Sequence, residues 1–141
     1  MDEFYLYLSS KDSLDIRKNN SEFLFQLPKP YTLDGKWSCA VTEVTLTCDF
    51  TPRSKRLYLC GDFVDESCVR STLQPVLRNF EIETRYKKLK YTEFVNRVYV
   101  PVTVHHLSLL RLHFTDEDLN EIKFDANDFH CVLHFKKAWA A

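Results

Sequence analysis

Phe129-His130-Cys131-Val132-Leu133-His134-Phe135-Lys136 alternates strictly between two kinds of side chain. Phe129, Cys131, Leu133 and Phe135 fall on one side of an extended chain, and His130, Val132, His134 and Lys136 on the other. A period of two with one apolar face is the mark of a strand lying on a hydrophobic core. The same alternation runs through Leu110, Leu112 and Phe114, separated by Arg111 and His113. Phe23-Leu24-Phe25-Gln26-Leu27 reads as a third strand, expected to stop at Pro28 because proline has no N–H to give to a ladder. Trp37–Cys48 is a longer run rich in Val and Thr, residues that favour extended backbone. Its alternation slips once, so a bulge is expected within it. Phe4–Leu8, Leu57–Phe63, Val76–Ile82 and Val98–Val104 complete a set of eight strands.

Helical periodicity is confined to single turns at Thr92–Arg97 and Glu117–Glu121. With no alternation of strands and helices, the expected fold is an all-β, single eight-stranded antiparallel jelly-roll sandwich, one domain spanning 1–141.

Composition narrows the function. The chain has 141 residues, 45% of them hydrophobic and 28% charged, enough for a packed core and too apolar for a disordered chain. Lys and Arg total 19 against 20 Asp and Glu, which lacks the basic surplus of a dedicated nucleic-acid binder. The start Met1-Asp2-Glu3 is acidic and leads into a short apolar stretch, so no secretory signal is expected. No window reaches the roughly 18 apolar residues of a membrane helix. Five cysteines with no CxxC spacing read as free, mostly buried thiols of a protein made in a reducing compartment. Asn19-Asn20-Ser21 has the glycosylation pattern but, on this reading, no route to the enzyme that would use it.

No catalytic signature is present: GxSxG, HExxH, Walker and GxGxxG patterns are missing, and two glycines cannot build a phosphate-cradling loop. The expectation is a non-enzyme without cofactor. His130 and His134 share a strand face while Cys131 points away, so the three cannot hold one metal ion, and these histidines read as solvent-facing or internally satisfied. Asp116, Asp118 and Asn120 match the opening of a calcium loop, but Glu121 stands where glycine is needed and Asn127 where glutamate is needed. An acidic turn between strands is the simpler reading. Basic residues gather at Arg53-Ser54-Lys55-Arg56 and at Arg85-Tyr86-Lys87-Lys88-Leu89-Lys90-Tyr91. The second run interleaves aromatics with cations, so Arg85, Lys87, Lys88 and Lys90 are candidates for weak nucleic-acid contact or for a subunit contact in a solvated loop.

Four stretches in order carry a resemblance. The first is Phe23-Leu-Phe-Gln-Leu-Pro28-Lys-Pro30-Tyr-Thr-Leu33-Asp-Gly35-Lys-Trp37, running on to Glu43-Val44. The second is Leu57-Tyr-Leu-Cys-Gly-Asp62-Phe-Val64 with Pro75-Val-Leu77-Arg78. The third is Tyr99-Val-Pro101-Val102, and the fourth is Phe124 followed by Leu133-His134-Phe135-Lys136-Lys137. Together they resemble the penton-type minor capsid proteins of Maverick/Polinton elements and adintovirus-like DNA viruses, over about Phe23 to Lys137. Departures are Val69-Arg70-Ser71 where family members often carry Val-Gly-Asp, Asn120 in place of a glycine, and Lys136-Lys137 in place of an arginine pair.

The resemblance implies a viral structural protein. It would be a single jelly roll assembling as a homopentamer at icosahedral vertices, among double-jelly-roll major capsid subunits. Assembly would take place inside the host cell, in the nucleus, with the virion as final location. A ring of five needs a heterologous contact that repeats until it closes, and Tyr5, Tyr7, Tyr31, Tyr58, Tyr86, Tyr91, Tyr99 and Trp139 are candidate suppliers of its area. The motif residues Pro28, Pro30, Gly35, Trp37, Glu43, Asp62, Arg78, Pro101 and Phe135 read as structural: prolines ending a strand, Gly35 in a turn with positive φ, Trp37 in the core, and Glu43 paired with Arg78. The alternative is a non-enzymatic jelly-roll binding module, lectin-like or receptor-binding, including a host-domesticated copy.

Overall fold

The computed structural model of the chain describes residues 2–14, 22–48, 56–81, 86–119 and 129–138, with the backbone alone described at 47–48 and 86–90. In chain order the strands are β1 (Glu3–Ser9), β2 (Glu22–Thr32), β3 (Trp37–Cys48), β4 (Arg56–Gly61), β5 (Ser67–Val69) and β6 (Thr72–Gln74). They continue with β7 (Val76–Glu81), β8 (Tyr86–Glu93), β9 (Val100–Pro101), β10 (His106–Asp116) and β11 (His130–Lys137). One 3-10 turn, Ser10–Asp12, is the only helical element among the described residues.

All pairings are antiparallel. One sheet runs β1-β11-β3-β8, with β9 also paired to β3; the other runs β2-β10-β4-β7, and β5 and β6 form a separate hairpin. The two sheets lay their apolar faces on one hydrophobic cluster, giving a β-sandwich-like, all-β fold. Phe4, Leu6 and Leu8 of β1 enter it beside Cys131, Leu133 and Phe135 of β11, and from the other sheet come Phe23, Phe25, Leu110, Leu112 and Phe114. Aromatic rings bridge the layers: Phe4 of β1 stacks on Tyr31 of β2 at 4.2 Å, and Phe129, at the mouth of β11, lies 4.9 Å from Phe23 and 5.0 Å from Phe114.

The slip of alternation in Trp37–Cys48 has its cause in the β3–β11 register. Val132 lies opposite Glu43 and Leu133 opposite Val41, leaving Thr42 as the extra residue. The inward set therefore changes phase, from Trp37, Cys39 and Val41 to Val44 and Leu46.

Four expectations are corrected. β2 does not end at Pro28 but runs through both prolines to Thr32. This is tolerated because β2 is the outer strand of its sheet and because Leu27 to Pro30 bulge against Ser108 alone, between the Tyr31–Leu107 and Gln26–Leu109 pairs, so neither proline is asked for a ladder bond. Val98–Val104 is not a full strand: only Val100–Pro101 pairs, with a single bridge from Val102 to Val64. Its place is taken by β8, which includes the basic run read as a loop and the start of the Thr92–Arg97 turn; Phe94 to Arg97 is irregular, without a helix. The short hairpin β5–β6 was not expected at all.

The tip of that hairpin has positive φ at both central residues, 47° at Arg70 and 68° at Ser71, the pattern of a turn that prefers Asn-Gly. Left-handed backbone costs a non-glycine residue about 1 kcal/mol, against about 0.5 kcal/mol for the added freedom of an unfolded glycine. Ser71→Gly is therefore expected to raise stability by about 0.5 kcal/mol, measured as a shift of the urea midpoint; a lower midpoint would contradict the turn geometry.

Candidate functional site

The outward face of the β1-β11-β3-β8 sheet carries a polar cluster centred on His134. Its registers place Tyr5 (β1), His134 (β11) and Ala40 (β3) in one row, and Tyr7, Val132 and Glu43 in the next. An outward face should be wet, yet Ala40, Thr42, Val132 and His134 are all buried. The cover comes from the segment Phe94–Tyr99, which runs along the β3 edge between β8 and β9 and sends Arg97 and Tyr99 across this face to β11. It is tied at one end by Phe94 N–H donating to Thr42 O (2.9 Å), and past β9 by Val102 N–H donating to Trp37 O (2.8 Å). Arg78, from β7 of the other sheet, donates to Asn96 O at 2.7 Å, and its guanidinium lies 4.4 Å over the Phe94 ring.

Under this strap sits His134, 5% exposed. Tyr5 stacks on its ring at 4.3 Å, and Tyr99 meets it edge-on at 5.6 Å. The Tyr99 hydroxyl lies 2.7 Å from Nδ1, and Arg97 Nη1 approaches the same nitrogen at 3.5 Å and the Tyr5 hydroxyl at 3.4 Å. Arg97 can only donate, so where it bonds Nδ1 the neutral ring accepts there, whereas the Tyr99 hydroxyl can donate to Nδ1 or accept from it according to the tautomer. Nε2 has no hydrogen-bond partner; Glu3 Oε1 is 3.6 Å from it. Lys136 Nζ stands 3.8 Å over the Tyr99 ring. Burial, helped by Arg97 and Lys136, holds the His134 pKa below its ordinary value against the pull of Glu3.

Glu43 and Arg78 do not pair. Glu43 lies on the outward face and accepts the Tyr91 hydroxyl at 2.7 Å, which pushes the Tyr91 phenol up to about 12, whereas Arg78 belongs to the opposite sheet and takes Asn96 and Phe94. Gly35 has φ 84°, the left-handed backbone its turn requires, with Lys137 Cε 3.2 Å from where a Cβ would sit. Trp37 and Phe135 are core, the indole N–H of Trp37 donating to Asp34 O at 3.0 Å. Asp62 ties the β4 exit to β10: its Oδ1 accepts Arg111 N–H at 3.3 Å. The Pro101 carbonyl accepts Asp65 N–H at 2.9 Å. Pro28 and Pro30 are exposed in the β2 bulge.

Arg85, Tyr86 beyond its backbone, Trp139 and the calcium-loop positions Asn120, Glu121 and Asn127 lie outside the described residues, as do the side chains of Lys87, Lys88 and Lys90. Of the acidic turn, Asp118 N–H donates to Asp116 Oδ1 at 2.9 Å and Asp118 pairs with Arg70 of the β5–β6 tip. Among the described residues no group of three His, Cys, Asp or Glu could hold a metal ion, and no helix is long and apolar enough to cross a membrane. Cys39, Cys60 and Cys131 are buried free thiols and Cys68 is an exposed one; burial pushes the Cys60 thiol up to about 12.

The strap went unread in the sequence, although a signal for it was present. Val132, Ala40 and Thr42 are small or apolar residues on what alternation makes the outward face, and such a face asks for a cover. No model of a known protein family matches the chain, and no curated protein matches it at a significant level.

Proposed function

We propose that the chain is a structural protein of a viral capsid, built on a jelly roll. The observation that carries this reading is the nesting of strand pairs. Taking the eight long strands in chain order, first pairs with eighth (β1–β11), second with seventh (β2–β10), third with sixth (β3–β8) and fourth with fifth (β4–β7). Such nesting, one long antiparallel hairpin folded back on itself, supports reading the β-sandwich-like fold as a jelly roll. Within that class the four ordered sequence stretches favour the penton type: a minor capsid subunit forming homopentamers at icosahedral vertices beside double-jelly-roll major capsid subunits. It is assembled inside the host cell, in the nucleus, and ends in the virion. It catalyses nothing and binds no cofactor. Exposed Tyr7 (76%) and Tyr91 (54%) offer aromatic area for contacts between copies.

Light scattering coupled to size exclusion, over a wide concentration range and at two salt levels, tests the assignment. Five copies of 16.7 kDa give about 83.5 kDa, and that mass is the expected result. A monomer at every concentration contradicts a self-assembling ring. One feature favours the alternative of a binding module: an open groove of about 240 Å³ on the outward face, lined by Tyr7, Glu43, Thr45 and His130 among others. A monomer that binds an immobilised glycan, and loses it in Glu43→Gln, would establish that alternative.

A further inference from the structure

We propose that the Phe94–Tyr99 strap is a proton-operated cover, held shut on the outward sheet face by neutral His134 and released when that ring is protonated. Whether or not the chain forms rings, the strap's polar side chains end at one place. Arg97 and Tyr99 both converge on Nδ1 of one buried imidazole. In the neutral ring protonated on Nε2, the single lone pair of that nitrogen faces both groups. Protonation puts a hydrogen there, which the Tyr99 hydroxyl can turn to accept, but Arg97, which can only donate, loses its acceptor and meets a second positive charge.

The groups facing the ring are few, and their signs are clear. β1 presents Glu3 and Tyr5, the strap Arg97 and Tyr99, and β11 Lys136; β3 presents Ala40, which has no charge. Glu3 alone favours the imidazolium. It is mostly exposed, with its carboxylate 3.6 Å from Nε2, and its pull is outweighed first by burial and then by the two cations. Between its end ties the strap has little else to hold it: Val95 (88% exposed) and Val98 (51% exposed) point to solvent, and Asn96 is held through Arg78. Opening uncovers His134 and its row neighbour Ala40, a patch of surface kept dry at neutral pH.

With the strap closed the His134 pKa lies below its ordinary value of about 6.5, and with the strap open it returns there. The closed form is thus fully favoured above about 6.5, and it loses up to about tenfold per pH unit as pH falls from there towards the lowered value.

The test is amide hydrogen exchange at pH 7.5, 6.5 and 5.5, corrected for intrinsic rates, together with the NMR titration of the His134 ring. Protection of the Phe94 amide, whose N–H donates to Thr42 O, is expected to fall up to about tenfold from pH 6.5 to 5.5 while that of the β3–β11 amides stays unchanged. His134→Gln, which keeps an acceptor but cannot titrate, should show no pH step, and Glu3→Gln should leave the onset unchanged and extend the acid loss to lower pH. Strap protection independent of pH, or an equal acid loss in His134→Gln, overturns the proposal. Should that variant not fold, the wild type still decides: strap opening that does not level off at the pH where the His134 ring titrates also overturns the proposal.

Discussion

Phe135→Ala is expected to cost about 3–5 kcal/mol of folding stability. The ring is fully buried and stacks on Phe4 at 4.9 Å with planes 11° apart. On its other side it meets Phe63, which follows β4, at 5.6 Å. It therefore joins three parts of the sandwich: its own strand, the neighbouring β1, and the segment leaving β4 in the opposite sheet. Alanine would leave a cavity between layers that cannot close without shifting both sheets. Domains of this size have about 5–15 kcal/mol in hand, so the variant should be marginal at 37 °C. Phe135→Leu fills most of the volume and should lose less than about 1.5 kcal/mol. Urea denaturation of the three proteins checks this, and a loss below about 1 kcal/mol for the alanine variant would mean the sheets do not pack through this ring.

The second large effect concerns Gly61, at the end of β4, where the sign of the change is informative. In an ordinary strand, alanine is better than glycine by about 0.5–1 kcal/mol because it loses less freedom on folding. At Gly61 an added Cβ would stand 2.7 Å from Phe63 Cε1 and 3.0 Å from Leu77 Cδ1. Both neighbours are 1% exposed. Gly61→Ala is therefore expected to destabilise by about 1–3 kcal/mol, the cost of overpacking a filled core. Adding Phe63→Leu should recover part of that loss, a coupling visible in a double-mutant cycle. A more stable Gly61→Ala would show that the Phe63 ring can move aside.

Strands whose one face is greasy were legible. The alternations around Leu110–Phe114 and Phe129–Lys136 are those of β10 and β11, and the phase slip in Trp37–Cys48 is the Thr42 bulge. β8 was not legible, because Tyr86-Lys-Lys-Leu-Lys-Tyr91 has no apolar face to read. It is a strand because β3 would otherwise leave the backbone groups of Glu43–Cys48 unpaired along that edge. The reverse error at Val98–Val104 has the opposite origin. Val100, Val102 and Val104 pack against the core as side chains without a neighbouring backbone to bond along most of their length. Long-range partners were hidden for a related reason. Nothing local in the sequence says that Glu43 and Arg78 belong to different sheets, or that Arg97 and Tyr99 reach back to His134.

Pro28 and Pro30 have a consequence beyond the bulge they sit in. A β-sheet with an open outer strand can accept another chain's strand, and then another, growing into a fibre. β2 ends its sheet on that side, and along Leu27–Pro30 two of four residues have no N–H to offer an incoming strand. Any protein kept at high local concentration is exposed to such growth, and here one route to it is closed by two imide nitrogens. Along Leu27–Pro30, contacts between copies then fall to side chains, which can be specific and finite, rather than to backbone, which repeats without limit.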